Sequence, residues 1–259
     1  MDLKLNGKLA VVSGSTAGIG YGIAEALVRE GARVIVNGRT QAAVSDAVTR
    51  LGQGAIGFAG DLCDGATLAG LVRRHPDVEI LVNNLGIYEA RPFEEIQDDE
   101  WRRYFDVNVL SGVRLVRAYL PGMKSRGWGR IIFISSESAL QIPVEMIHYG
   151  MTKAAQVAIG RGLAESLTGT DITVNSVLVG PTRSRGVNDF IGQLAKAQNQ
   201  SFEQAEQEFF QHARPTSLLQ RFITPEEIGP FVAYIASPLA SATTGAALRV
   251  EGGVLKSAF

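Results

Sequence analysis

The chain has 259 residues, with 25 Lys plus Arg against 26 Asp plus Glu and a formal net charge of −1. That balance leaves no basic surplus for nucleic acid and no acidic tail. A single cysteine, Cys63, excludes an intramolecular disulfide framework, and three scattered histidines (His75, His148, His212) lack zinc-site spacing.

No long apolar run opens the chain, and no segment approaches the roughly 20 apolar residues of a membrane span. The expectation is a soluble cytoplasmic protein with no membrane or nucleic-acid partner. Without a linker, repeat or break in composition, residues 1–259 are expected to form one domain.

Leu9-Ala-Val-Val-Ser13 is a short apolar run entering glycines, the pattern of a buried parallel strand. Ile19, Ile23 and Leu27 then recur at helical spacing until Gly31. Residues 33–37 form a second β-branched run, and Thr40 can cap a helix striped by Val44, Val48 and Leu51. Residues 55–59 read as a third strand, about 64–74 as a helix, and 78–82 as a fourth strand. One long helix is expected from near Asp98 to Ser125, with Trp101, Phe105, Val109, Val113, Val116 and Leu120 inward. A fifth strand at 130–134, a helix through Tyr149 and Lys153 to about Leu167, and a sixth strand at 172–178 follow.

Between about Ser184 and Thr224 the alternation lapses. Phe190, Ile191 and Leu194, then Phe202, Phe209 and Phe210, predict two amphipathic helices, read as a substrate lid or a structural hairpin. Thr224-Pro-Glu-Glu227 restarts the pattern with the chemistry of a helix start. Residues 248–253 supply a last strand. Strands that are continuous apolar runs, alternating with helices, predict an α/β fold: a Rossmann-like, doubly wound parallel sheet in three layers.

Ser13 to Gly20 lies on the first strand-to-helix turn, with glycines at 14, 18 and 20. Glycines there let the backbone approach a pyrophosphate, and the helix N-terminus offers free N–H groups and a positive dipole end. At the end of the second strand, Asn37-Gly-Arg-Thr40 holds a guanidinium and no carboxylate, which favours NADP over NAD. Asp61 can bond an adenine amino group or serve as a turn residue. Asn83-Asn-Leu-Gly86 and Ser135-Ser136 follow the fourth and fifth strands, on the edge where open α/β sheets bind ligands. Asn108 is a polar interruption in a strongly apolar helix. Tyr149 and Lys153 sit four residues apart, one helical turn, where an ammonium can draw a phenol's pKa of about 10 toward neutrality.

Together these residues resemble the short-chain dehydrogenase/reductase family over nearly the whole chain. Ser13–Gly20 is similar to the family's T-G-x-x-x-G-x-G loop with serine first, and Asn83–Gly86 to N-N-A-G with Leu85 for alanine. Asn175–Gly180 resembles N-x-x-x-P-G with Val179 for proline, and Glu251 stands for the usual aspartate. Asn108, Ser136, Tyr149 and Lys153 fall where the catalytic tetrad belongs; among Ser135, Ser136 and Ser138, the family spacing selects Ser136.

The resemblance implies that Tyr149 exchanges the proton with the substrate oxygen and Ser136 hydrogen-bonds that oxygen. It implies that Lys153 lowers the Tyr149 pKa and holds the nicotinamide ribose, while Asn108 supports a water relay. It implies a cofactor site of Gly14, Ser15, Thr16, Gly18, Ile19, Gly20, Arg39, Thr40, Asp61, Leu62, Asn84, Gly86, Tyr149, Lys153, Gly180 and Thr182, with no metal. The expected activity is hydride transfer between NADP(H) and a carbonyl or secondary alcohol, in a homodimer or homotetramer. An NAD-dependent member of the family and a non-catalytic dinucleotide-binding regulator are the alternatives. Ile87, Tyr88 and residues 141–148, including Glu145 and His148, are candidates for the substrate pocket.

Overall fold

Seven runs of the chain become strands, and in the central ones alternate residues meet different layers of helices. The structure is a computed structural model that describes residues 1–258 apart from 185–186, 189–190, 193–194 and 197–198. Phe190 and Leu194, expected to help form the first lid helix, lie outside the described residues.

In chain order the elements are β1 (Leu9–Val12), α1 (Gly18–Arg29), β2 (Arg33–Gly38), α2 (Gln41–Leu51), β3 (Ala55–Ala59), α3 (Gly65–Arg74) and β4 (Ile80–Asn83). Then come α4 (Asp98–Phe105), α5 (Ser111–Arg126), β5 (Trp128–Ser136), α6 (Ile147–Glu165), β6 (Asp171–Val179), α7 (Phe202–His212), α8 (Pro225–Ala236) and β7 (Ala247–Val250). The strands form one sheet in the order β3-β2-β1-β4-β5-β6-β7, and every pairing is parallel. The order reverses between β1 and β4, which opens a crevice at the carboxyl ends of the strands.

Ala10, Val12, Ile132 and Ile134 face α1 and α8, packing with Ile23, Leu27, Ile228 and Val232. Val11, Ile131 and Phe133 point the other way, onto Leu71, Leu115, Tyr119 and Met123 of α3 and α5. Both faces are therefore buried, the condition under which parallel strands read as unbroken apolar runs. Helices α1 and α8 cross closely: a methyl group on Gly229 would stand 2.4 Å from the Gly22 carbonyl oxygen.

The expected long helix is not continuous. Residues Asp106–Leu110 form a π turn between α4 and α5, and the Ser111 N–H reaches back five residues to the Asp106 carbonyl. The extra residue rotates the following helix, so Leu115, Val116, Tyr119 and Met123 are buried, Leu120 packs half-buried against them, Val113 is half-buried and Phe105 is exposed.

Beyond β6 the chain leaves at Thr182 and returns at Ile223, where the two residues form an isolated parallel bridge. Between them, Ile191, Ala195, Ala205, Phe210 and Phe222 bury a small apolar cluster of their own. Helix α7 begins with a Ser201–Gln204 capping box, and α8 begins at Pro225 with the Glu227 carboxylate on the Thr224 N–H.

Candidate active site

The glycine loop is held from within by small polar side chains. Ser13 Oγ accepts the N–H groups of Asn84 and Leu85, each at 3.0 Å, and Asn84 Nδ2 donates to the carbonyls of Ser13 and Gly14, also at 3.0 Å. Ser15 is fully buried; its hydroxyl donates to Val12 O at 2.6 Å and accepts from Asn37 N at 3.0 Å. The Ser15 hydroxyl and the Asn84 Nδ2 group therefore build the loop. Asn37 extends the frame, accepting from Gly14 N and donating to the carbonyls of Phe58 and Gly60.

What this frame presents outward fits an anionic dinucleotide. Gly14 and Gly18 have positive φ values of 63° and 58°, and a methyl group on Gly20 would lie 2.5 Å from both Gly14 O and Asn84 Nδ2. No side chain caps the N-terminus of α1, so its first N–H groups remain available to an anion. One open cavity is lined by Gly14, Thr16, Arg39, Asp61 and Leu62 together with Ala17, Asn37, Gly38, Gly60 and Leu85. Thr40 is not on this lining; its hydroxyl caps α2 through Ala43 N. Asp61 Oδ1 accepts the Cys63 N–H at 2.9 Å, the turn role, while the residue also lines the cavity.

At the far end of the crevice, β5 delivers Ser136 and α6 delivers Tyr149 and Lys153. Lys153 is buried; Nζ donates to Ile134 O at 2.8 Å and to Gln156 Oε1 at 3.3 Å, and lies 5.5 Å from the Tyr149 ring centroid. The π turn positions Asn108, whose side chain pairs with both the N–H and the C=O of Ile87 and donates to Thr152 Oγ1. A methyl group added at Gly86 would sit 3.5 Å from Asn108 Oδ1 and 3.7 Å from Lys153 Nζ, so the end of β4 closes this corner. Gly180 packs against the Glu251 backbone, and Thr182 Oγ1 donates to Gly180 O at 2.8 Å.

Three buried polar residues that sequence reasoning passed over complete the site. Gln156 Nε2 donates to Asn108 O at 2.6 Å and its Oε1 accepts from Lys153 Nζ, so one side chain joins Lys153 to that carbonyl. Its signal was a polar residue one turn beyond Lys153 on the same face. Ser136 Oγ donates to the Glu137 carboxylate, and Glu137 Oε1 pairs with Arg214 Nε at 3.2 Å. Arg214 also pairs with Glu145 through Nη1 at 3.2 Å. An acidic residue closing an apolar strand was the available signal for Glu137; Arg214 had none, because only tertiary folding brings it here.

Electrostatics depart from the sequence expectation. Burial pulls the Lys153 ammonium down from 10.5 to about 8, opposed by Glu137. Burial, then the Glu137 charge, push the Tyr149 phenol above its ordinary value, and the Ser136 hydroxyl draws it partly back. The charges and dipoles that act on the phenol are Glu137, Ser136, Tyr88 and Arg214, while the Lys153 ammonium is engaged with Ile134 and Gln156. Candidate pocket residues also move: Glu145 is paired with Arg214. His148 is fully buried against Tyr104, ring centroids 4.0 Å apart, with Nε2 3.5 Å from Glu100.

The Lys153 displacement has a measurable consequence. Between pH 8 and 10.5 the unfolded lysine binds a proton that the folded one has lost, so stability rises with pH through that window. Relative to Lys153→Met, wild type is expected to gain about 3 kcal/mol across it, the advantage disappearing as pH falls through 8. Urea unfolding of both proteins at pH 7, 9 and 10.5 checks this; parallel curves would refute it.

A doubly wound parallel sheet with a glycine-rich first turn and polar side chains gathered at its carboxyl edge defines a dinucleotide-binding oxidoreductase architecture. A family model described as enoyl-(acyl carrier protein) reductase matches residues 14–255. The uncharacterized oxidoreductase YvaG of Bacillus subtilis is 47% identical over 264 residues, covering 100% of both chains. D-beta-hydroxybutyrate dehydrogenase of Cupriavidus necator is 32% identical, covering 96% of this chain and 98% of that one. The crystal structure of L-sorbose reductase from Gluconobacter frateurii, complexed with NADPH and L-sorbose, superposes with a TM-score of 0.93 at 30% identity, covering 99% of this chain and 100% of that one. The chain belongs to the short-chain dehydrogenase/reductase family and is an oxidoreductase with an NAD(P)-binding Rossmann fold. Among the described residues no helix is long and apolar enough to cross a membrane, and no group of three or more His, Cys, Asp or Glu is set to hold a metal ion.

Proposed function

We propose that this protein transfers hydride between NADP(H) and a carbonyl or secondary-alcohol substrate, with Tyr149 as the acid/base. The observation that carries the reading is the convergence of a phenol, a hydroxyl and a buried ammonium at one corner of the crevice whose other end is the glycine loop. When bound, the nicotinamide supplies or accepts the hydride. Negative charge then develops on the substrate oxygen, and the phenol, held protonated by burial and by Glu137, is suited to neutralise it. An ammonium has three N–H donors, and Lys153 spends two on Ile134 and Gln156; the third is the donor for a ribose hydroxyl. Asn108 braces the loop after β4 at Ile87.

For the cofactor, Gly14, Thr16, Gly18, Ile19 and Gly20 would cradle the pyrophosphate, Asp61 and Leu62 the adenine, and Gly86, Gly180 and Thr182 the nicotinamide end. Arg39 is exposed on the cavity wall and has no hydrogen-bonded or ionic partner among the described residues, which suits a 2′-phosphate. NADPH in the L-sorbose reductase structure and NADP bound to a Beutenbergia cavernae protein described as an NAD(P)-dependent gluconate 5-dehydrogenase support the same cofactor here. The segment from Ser184 to Thr224 is proposed as the substrate lid, because Arg214 ties it to the residue beside Ser136.

The test is NADPH oxidation by purified protein across a panel of ketones and aldehydes, followed by absorbance. Tight NADPH binding with no oxidation of any panel member would replace this reading by a non-catalytic one. In the same assay Arg39→Ala is expected to weaken NADPH binding by about tenfold or more and leave NADH within about twofold. Equal losses for both cofactors would remove the 2′-phosphate assignment.

A further inference from the structure

The Ser136 hydroxyl has one proton and two lone pairs, and most of them are accounted for. The proton goes to the Glu137 carboxylate. One lone pair accepts the Ser138 N–H at 3.1 Å. The other lone pair is on the side of the Tyr149 hydroxyl, the group Ser136 also bonds, so a substrate oxygen entering between the two hydroxyls meets a lone pair of Ser136 and no proton. Glu137 is itself fixed: it is buried, and Arg214, also buried, donates to its other oxygen from Nε at 3.2 Å. Arg214 is held in turn by Glu145 and by the Ala213 carbonyl at 2.7 Å.

We propose that Glu137, locked by Arg214, is a positioning residue that turns Ser136 into a hydrogen-bond acceptor and thereby sets the resting site to hold an alcohol in preference to the ketone. An alcohol oxygen accepts from Tyr149 and donates to Ser136, satisfying both. A ketone oxygen has no proton to give, so it faces the Ser136 lone pair unless the hydroxyl swings away from Glu137. That swing strips a hydrogen bond from a buried carboxylate, a cost of the order of a lost charge-assisted bond. Because Arg214 lies in the segment between β6 and α8, the placement of that segment controls the direction of the Ser136 proton. The proposal rests on reading the site as an alcohol–ketone oxidoreductase.

Glu137→Gln is the informative change. Arg214 can only donate, so it takes the amide oxygen and leaves the amide NH2 facing Ser136. Ser136 then accepts from two donors and its proton is released toward the substrate. The probes are cyclohexanone bound to the enzyme with NADP+ and cyclohexanol bound to the enzyme with NADPH, both unreactive ternary complexes, measured by calorimetry. The ratio of ketone to alcohol dissociation constants is expected to fall about tenfold in Glu137→Gln. The same substitution in a Ser136→Ala background is expected to leave the ratio within about twofold, since the group it acts through is gone. An unchanged ratio with Ser136 present, or an equal shift without it, would overturn the proposal. A melting temperature close to that of wild type identifies the variant as folded. No turnover enters the measurement, so failure here is distinct from an absence of NADPH oxidation across the ketone panel.

Discussion

Replacing Tyr149 by phenylalanine is expected to lower turnover of any active ketone by about a thousandfold while NADPH binding stays within about threefold. The ring that packs edge-on against Tyr88, centroids 6.2 Å apart, is kept, and only the hydroxyl is removed. In the proposed reaction that hydroxyl donates the proton that neutralises the developing alkoxide. Its raised pKa keeps it protonated across the neutral range, so reduction loses its acid in the variant at every pH up to the point where wild type also ionises. The residual rate would come from proximity to the bound cofactor alone. Steady-state rates at saturating NADPH, with cofactor affinity from fluorescence titration, measure both halves. A variant retaining more than about a tenth of wild-type turnover would remove Tyr149 from the proton-transfer role.

Gly20→Ala is expected to weaken NADPH binding by at least about a hundredfold and to cost about 1–3 kcal/mol of stability. The new methyl group would stand 2.5 Å from the Gly14 carbonyl oxygen and 2.5 Å from Asn84 Nδ2. Neither neighbour is a free side-chain end. Gly14 O is loop backbone, and Asn84 Nδ2 is tied to Ser13 O and Gly14 O. Relief requires the whole turn to shift, and the turn is what aims the N–H groups at the N-terminus of α1 toward an anion. Calorimetric titration with NADPH and a thermal melt test the two parts separately. Normal affinity in a folded variant would mean that the loop is not the pyrophosphate cradle.

Much of this molecule is legible in its residue order, because parallel strands buried on both faces announce themselves as apolar runs and helices as stripes. Leu9–Val12, Arg33–Asn37 and Ile131–Ile134 are strands for that reason, and the alternation specifies the doubly wound sheet. Thr40 and Thr224 mark their helix starts through local hydrogen bonds that need no distant partner. Glycines at 14, 18 and 20 mark the first turn, since positive φ and close backbone approach exclude side chains.

Where local signals were balanced, packing across the chain took over. The π turn at 106–110 carries no pattern of its own; it persists where Asn108 meets Ile87, 21 residues away, and Gln156, 48 residues away. The Ser15 hydroxyl bonds Val12 and, on the neighbouring strand, Asn37, partners that its place in the loop does not announce. The pair Tyr149 and Lys153 was readable as one helical turn, but the direction of the phenol's pKa was not. It depends on burial, on Glu137 at the end of another strand, and on Arg214, 77 residues beyond Glu137. Chemistry that follows from spacing along one element lies open in the residue order; charge and protonation, which sum over everything nearby, come only from the folded chain.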